Sequence, residues 1–188
     1  MNLYCRLLIL TLLTFLPILT FAQQNTLTIG LNTSYFKDWN RLRFNFFNPE
    51  VSYSRFLSNK YRVSYTLNVF YGGNLSKENM KEEAIINRLI FSNDFTLDYS
   101  LKDFYISAGP SIRYRNEKKI LYFYPQGNPF EFVIDRNKSH VDIGAAFKSG
   151  YNIHITKKSI VVFKLSYRLY NKGVNPISFG LSYGWTWD

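Results

Sequence analysis

The sequence predicts an all-β chain that folds as an eight-stranded antiparallel up-and-down barrel. Three observations lead to this prediction: apolar and polar residues alternate strictly, eight segments show the alternation, and their connections are alternately short and long. A period of two places every second side chain on the same face of a strand. An even number of antiparallel strands, with short turns at one end and longer loops at the other, is typical of barrels that span a membrane.

The clearest segment runs from Ile177 to Trp187. Every odd position in it is large and apolar, and every even position is Ser, Gly or Thr. The apolar face ends in Tyr183, Trp185 and Trp187, and Tyr and Trp favour the boundary between an apolar medium and water. Because a tilted strand of about 9–11 residues crosses a bilayer, this segment predicts a transmembrane strand.

Seven earlier segments alternate in the same way. We expect the short turns at residues 57–60, 100–103 and 156–158 to lie at the periplasmic end. The polar segments at residues 37–43 and 72–87 are expected to be loops at the opposite end. Pro110 lies within the fifth segment, where we expect either a bulge or a position whose N–H the ladder does not need.

The longest connection runs from Asn116 to Ser139. Two aromatic runs, at residues 120–124 and 130–134, flank turn residues 125–129, which is a hairpin pattern. We expect the fifth and sixth strands to project beyond the membrane here. One use of such a hairpin is to bind a surface partner by strand addition; the alternative is that the two runs merely pair with each other.

The first 22 residues are typical of a secretory signal peptide, which leaves residues 23–188 as the barrel domain. Arg6 precedes an apolar run from Leu7 to Phe21, and Ala22 completes the cleavage pattern. An N-terminal membrane anchor is the alternative, but the run is short for a spanning helix of about 20 residues. Cleavage also removes Cys5, so the mature chain is expected to lack disulfide and thiol chemistry.

The formal net charge is +10, from 23 Lys and Arg against 13 Asp and Glu. For an exported chain, membrane lipid and lipopolysaccharide are the expected neighbours of this charge, and nucleic acid is not. We expect no cofactor, and a metal site would have only His140 and His154 as histidine ligands.

Charged residues fall on the polar faces of the predicted strands, and we expect them to line and plug the barrel interior. The interior of an eight-stranded barrel is just wide enough for side chains to fill, so opposite charges can pair across it. The predicted interior residues are Glu50, Arg62, Arg88, Asp94, Asp98, Arg113, Arg115, Asp142, Lys148, Lys164 and Arg168.

A soluble lipocalin-type barrel or a β-sandwich shows the same alternation with its apolar face inward. Two aromatic belts and the secretion signal favour the membrane barrel instead. The belt expected at the periplasmic end contains Tyr61, Tyr99, Phe104, Trp185 and Trp187, and the opposite belt contains Tyr35, Tyr71, Tyr114 and Leu169.

With these features, the chain resembles the small outer-membrane barrels of Gram-negative bacteria, the "porin family" of OmpA/OmpX-type proteins. Ser178, Gly180, Tyr183 and Trp185 match that family's C-terminal assembly signal, which reads polar, any, Gly, any, any, apolar, any, apolar. The resemblance covers essentially all of the mature chain. It implies a location in the cell outer membrane and recognition by the barrel-assembly machinery.

We therefore expect a monomeric outer-membrane protein with a structural or surface-interaction role, whose partner binds through the Asn116 to Ser139 segment. A narrow passive channel is the first alternative, and a lipid-modifying barrel enzyme is the second. His140 and Asp142 share a strand face, but Ser139 points to the opposite face, so no catalytic triad forms. His140 is expected at the rim, and His154 is expected beside a turn.

Overall fold

The computed structural model of the chain describes residues 24–38, 41–77, 82–123, 132–172 and 175–187. The strands are β1 (Gln24–Asp38), β2 (Arg41–Phe56), β3 (Tyr61–Lys77), β4 (Glu82–Leu101), β5 (Phe104–Phe123), β6 (Phe132–Thr156), β7 (Ser159–Tyr170) and β8 (Pro176–Trp187). Each strand pairs antiparallel with the next, and β8 pairs with β1, which closes the barrel. The predicted fold class is confirmed, while the expected signal peptide lies outside the described residues.

Tight turns join β2 to β3, β4 to β5 and β6 to β7 at one end of the barrel, which we call the turn end. The turn residues are 57–60, 102–103 and 157–158; they lie within the three predicted turns, although Ser100, Leu101 and Thr156 belong to strands. Backbone hydrogen bonds link neighbouring hairpins there: the Ser100 N–H donates to the Lys60 carbonyl at 2.7 Å, and the Asn152 N–H donates to the Asp103 carbonyl at 2.8 Å. The turn end is therefore a continuous rim.

At the opposite end, the hairpin end, the strands differ in length. β4, β5 and β6 have 20, 20 and 25 residues, whereas β7 and β8 have 12 each. β3–β4 pairing continues to Lys77 and Glu83, and β5–β6 pairing continues to Phe123 and Phe132. We call this extension of β3–β6 the projecting sheet. The predicted hairpin is confirmed, and its turn at residues 125–129 lies outside the described part of the chain.

Two predicted loops are wrong. Residues 37–43 and 72–87 were expected to be loops because they are polar, but most of them lie in strands. β1 and β2 pair as far as Asp38 and Arg41, and β3–β4 pairing includes Gly72 opposite Arg88. Strand preference depends on what surrounds the side chains. A polar segment can therefore continue a strand, and here the backbone ladder extends through most of both segments although their apolar–polar alternation is lost.

Pro110 causes no bulge. The β4–β5 register is the same on both sides of it, and the β5–β6 ladder runs through it with Ala145 as its partner. The second expectation, a position whose N–H is not needed, is the one compatible with this register. A register shift lies instead between Asn32 and Ser34, where β1 pairs with β2.

The outward face of the barrel is apolar and exposed. Ile143 is 63% exposed and Phe179 is 59% exposed, which is far from the burial that a soluble core would give them. Apolar surface on this scale marks a contact with membrane or protein. Aromatic rings meet near the turn end, where Tyr61 and Tyr99 lie 5.4 Å apart between ring centroids. Within the described residues, no helix has the length and apolar character needed to cross a bilayer.

β4 and β5 approach closely beside Pro110, because a Cβ atom added to Gly109 would overlap the Phe95 carbonyl oxygen. We predict that Gly109→Ala lowers the free energy of unfolding by about 1–3 kcal/mol, the usual cost of overpacking. Urea unfolding of the refolded protein in lipid vesicles, followed by tryptophan fluorescence, measures this. Ala108→Val is the control because its side chain lies on the exposed outward face; equal stability of both variants would contradict the prediction.

Candidate functional site in the barrel interior

The structure places the predicted charged residues inside the barrel. Those that are buried are Glu50, Arg62, Asp94, Asp98, Arg113, Asp142, Lys148 and Arg168. Lys164 and Arg115 are half-buried, and the side chain of Arg88 lies outside the described residues. Buried charges are costly unless they are paired and hydrogen-bonded, so the partners of each carboxylate determine whether the interior is stable.

Asp94, on β4, lies near the middle of the interior between two cations. Its Oδ2 is 2.9 Å from Arg168 Nη2 on β7 and 3.0 Å from Lys148 Nζ on β6. The Ser111 hydroxyl on β5 donates to its Oδ1 at 2.7 Å. Lys148 also donates to Thr66 on β3 at 2.8 Å. This Asp94 cluster connects five strands across the barrel.

Asp98 forms a second cluster toward the turn end. Arg62 Nε lies 2.6 Å from Asp98 Oδ2, and the hydroxyls of Ser64 and Thr96 donate to its oxygens at 2.5 and 2.9 Å. The guanidinium carbon of Arg62 lies 4.1 Å from the centroid of the Tyr105 ring. Charge-assisted hydrogen bonds and a cation–π contact together compensate the desolvation of this pair.

Glu50 forms the third cluster with Lys164, which pairs with its Oε1. The Asn32 side-chain amide donates to the other carboxylate oxygen at 2.8 Å. The same amide also donates to Asn68 Oδ1 at 3.0 Å. Side chains from four strands therefore form one hydrogen-bonded network around Glu50. A buried polar network stabilises the fold when its polar groups have partners.

Asp142 forms the fourth cluster, nearest the hairpin end. Arg113 Nη2 and Nε lie 2.7 and 2.9 Å from Asp142 Oδ2, and Arg115 Nε lies 3.7 Å from the same oxygen. Arg113 also donates to the Lys172 carbonyl at 2.6 Å and stacks on the Tyr170 ring at 3.9 Å. This end of the interior is closed by stacked and bonded side chains.

A small polar space of about 20 Å³ remains between the Asp98 and Glu50 clusters. It has room for roughly one water molecule. Ser107 Oγ and Asn152 Oδ1 line it and have no protein hydrogen-bond partner, so a water molecule would satisfy them. Tyr105, Ile160 and Val162 form an apolar cluster of buried side chains in the same region. The interior is thus packed with side chains and leaves no wide passage among the described residues.

The sequence identified most of the buried charged residues, but it missed Arg55, which is also buried, and several of the residues that pack against the charges. Tyr170 was not predicted to lie in the interior. It is two residues from Arg168 and therefore on the same face of β7, so the alternation could have identified it. Ile160 and Val162 have the same parity and were also missed. The partners of each carboxylate could not be predicted, because contacts across a barrel depend on register and tilt.

The residues considered for catalysis do not come together. The Tyr114 hydroxyl donates to Ser139 Oγ at 3.2 Å, His140 is exposed, and Asp142 is occupied by Arg113. His154 Nε2 lies 3.6 Å from Asp103 at the exposed turn end. Within the described residues, no group of three or more His, Cys, Asp or Glu side chains is placed to hold a metal ion.

The predicted assembly-signal residues lie on both faces of β8. Ser178 is buried and bonds the Ser34 hydroxyl at 2.7 Å, which helps to join β8 to β1. Gly180 lies where a Cβ atom would overlap the Asn32 side chain. Tyr183 and Trp185 are exposed on the outward face, with ring centroids 4.9 Å apart. Their role in assembly stays a prediction.

Solved structures share this architecture. Ail, the attachment invasion locus protein of Yersinia pestis, was crystallised in complex with the heparin analogue sucrose octasulfate. It is similar with a TM-score of 0.55 and 11% identity, over 87% of this chain and 98% of Ail. The outer membrane protein OprG from Pseudomonas aeruginosa is similar with a TM-score of 0.56 and 11% identity, over 88% of this chain and 97% of OprG.

No protein-family model and no curated protein sequence matches the chain. The structural likeness nevertheless extends over nearly the whole length of both molecules. It identifies the fold as the closed eight-stranded barrel of the OmpA/OmpX type. At 11% identity it identifies the fold alone, so function has to be argued from the residues of this chain.

We predict that Asp94→Asn lowers the free energy of unfolding by about 3–5 kcal/mol, because it leaves the charges of Arg168 and Lys148 buried without their shared carboxylate. Urea unfolding in lipid vesicles measures the change. Asp103→Asn is the matched control, because its side chain is 46% exposed at the turn end and exposed pairs contribute little. Equal free energies of unfolding for the two variants would contradict the prediction that the Asp94 cluster stabilises the barrel.

Proposed function

We propose that this protein is a monomeric barrel of the cell outer membrane with a structural or surface-interaction role and a closed interior. The observation that supports this most strongly is the reversed distribution of polarity. Asp94, Arg113 and Arg168 are buried inside, while residues such as Phe179 are exposed outside. A bilayer is the medium in which that distribution is stable, since it solvates the apolar face and excludes the charges.

The remaining expectations about export form part of the same proposal. The signal peptide at residues 1–22 would direct secretion, and the barrel-assembly machinery would recognise Ser178, Gly180, Tyr183 and Trp185. Membrane lipid and lipopolysaccharide are the proposed neighbours of the apolar outward face. The short turns of the turn end then face the periplasm, and the projecting sheet faces the outside of the cell.

A passive channel is less well supported than a closed barrel. The Asp94 cluster connects β3, β4, β5, β6 and β7 through direct side-chain contacts, so a solute path would require those contacts to break. A lipid-modifying activity has no support from a catalytic group. Ser139 and His140 lie on opposite faces of β6, and the Asp142 carboxylate is engaged by Arg113. We therefore propose a non-enzymatic protein.

The test is the behaviour of the mature chain in membranes. We expect it to fractionate with outer membranes and to migrate faster on a gel before heating than after, because closed barrels resist detergent until they are boiled. The refolded protein in planar bilayers should give no steady large conductance.

A mature chain that remains soluble without detergent would contradict the membrane location. Stable open channels would contradict only the closed interior, because a conducting barrel is still a membrane barrel.

We further propose that a surface partner binds the projecting sheet at the edge of β6. The aromatic runs of the hairpin pair with each other, since Tyr122 lies opposite Val133. Their facing edges are therefore not available for strand addition by a partner. The outer edge of β6 is different. Ladder pairing with β7 begins at Gly144, and residues 132–142 have a ladder partner only on β5 among the described strands. An unpaired edge is the place where an extended peptide adds a strand.

Successive residues of β6 direct their backbone N–H and C=O groups alternately toward β5 and toward the open edge, and the known hydrogen bonds show which residues face the edge. The Ile143 carbonyl accepts from the Asn171 N–H at 3.1 Å, on the β7 side, and the Asn152 N–H donates to Asp103, on the β5 side. The β5–β6 register is constant along the strand. Odd-numbered residues from 133 to 141 therefore direct their N–H and C=O groups toward the open edge.

Proline tests this edge specifically. Ser139→Pro removes an N–H that points to the open edge, and we expect it to reduce binding of the surface partner at least tenfold while the heat-modifiable migration stays normal. Lys138→Pro is the neighbouring control, since it removes an N–H that points to β5 instead. Binding of labelled protein to intact surfaces, or to a partner recovered from them, is the measurement. Undiminished binding by Ser139→Pro would show that the edge of β6 is not the binding site.

A further inference from the structure

The turn end carries a ring of exposed lysines. Every tight turn of the described barrel has at least one lysine, and we name these the turn-end lysines: Lys60, Lys102, Lys157 and Lys158. The acidic residue within these turns is Asp103, which lies 3.6 Å from His154. Because these turns join β2 to β3, β4 to β5 and β6 to β7, the positive charge is distributed over three places on the rim and is not gathered at one turn.

The turn-end lysines lie directly beside the aromatic rings of that end. Lys60 precedes Tyr61, and Lys102 is two residues from Phe104. The Lys158 carbonyl accepts a hydrogen bond at 2.9 Å from the Thr186 N–H, and Thr186 lies between Trp185 and Trp187. Tyr and Trp rings favour the interface of a bilayer. Turns of two to four residues cannot carry their ammonium groups far from it, and lysine stems extend along apolar surface to place the charge at the head groups.

We propose that the turn-end lysines bind the phosphates of anionic phospholipids in the leaflet that surrounds the turn end. This inference rests on the proposed membrane location. A ring at the level of the aromatic side chains matches lipid head groups, which also surround the barrel at that level. A single acidic protein or a cell-wall polymer beneath the membrane would instead require the charges to converge on one face or to extend away from the bilayer.

The experiment compares phosphatidylglycerol with phosphatidylcholine at the surface of the refolded barrel. Spin-labelled forms of each lipid report their relative association constants by electron paramagnetic resonance. One lysine near an anionic head group contributes about 1 kcal/mol, or roughly a fivefold preference. We expect the full chain to show a preference of that order for phosphatidylglycerol at low salt, and the preference should fall as salt rises.

Two triple variants with the same change in charge locate the effect. Lys60→Gln with Lys102→Gln and Lys158→Gln leaves Lys157 as the remaining turn-end lysine and should lower the preference by more than half. Lys118→Gln with Lys138→Gln and Lys172→Gln, at exposed positions of the hairpin end, should leave most of it. Heat-modifiable migration shows that each variant is folded.

Equal association of the two lipids with the unmodified barrel would overturn the inference while leaving the membrane barrel intact. An equal loss in both triple variants would also overturn it, because the effect would then follow net charge and not position. Retention on purified peptidoglycan that the turn-end variant loses, without any change in lipid preference, would assign the lysines to the cell wall instead. A chain that enters neither vesicle type would contradict the proposed membrane location and this inference together.

Discussion

Closure of the sheet by β1 and β8 is the constraint on which the rest of the structure depends. The pairing runs from Asn25 opposite Trp187 to Phe36 opposite Pro176. Once the sheet is closed, one face of the strands is enclosed and the other faces outward. Backbone groups in the barrel are satisfied by neighbouring strands, which is the condition for crossing a membrane. The charged interior and the apolar exterior are both consequences of that closure.

The closed interior is stabilised mainly by polar contacts, with a small apolar cluster of Tyr105, Ile160 and Val162 beside them. Among the described residues, each of the four buried carboxylates has a basic partner, and hydroxyl or amide groups also donate to Asp94, Asp98 and Glu50. Such pairs stabilise little beyond what apolar residues would, yet removal of one member leaves a buried charge uncompensated. The arrangement therefore favours a single packing of the interior, because alternative registers would separate charges from their partners.

The two ends of the barrel differ in construction. The turn end is short, rimmed by aromatic rings and lysines, and tied by backbone hydrogen bonds between neighbouring hairpins. The hairpin end extends β3–β6 as a sheet beyond the point where β7 and β8 stop, which leaves the edge of β6 open. Natural proteins usually protect such edges. The open edge of β6 is therefore the contact that we propose for a surface partner, and the turn end is the contact that we propose for lipid.

The sequence by itself determined the strand count, the three tight turns, the closed up-and-down topology and the inward or outward direction of residues such as Asp94 and Phe179. These follow from a period of two, which places alternate side chains on opposite faces of a strand. The pattern did not identify the strands at residues 37–43 and 72–87, where the alternation is lost, and it left two possibilities for Pro110. Only the tertiary structure decided that Asp94 meets Arg168 and Lys148, that Tyr170 joins the interior, and that residues 132–142 keep an open edge. Those facts depend on register across the barrel and on where each neighbouring strand ends, and a pattern within one strand contains neither.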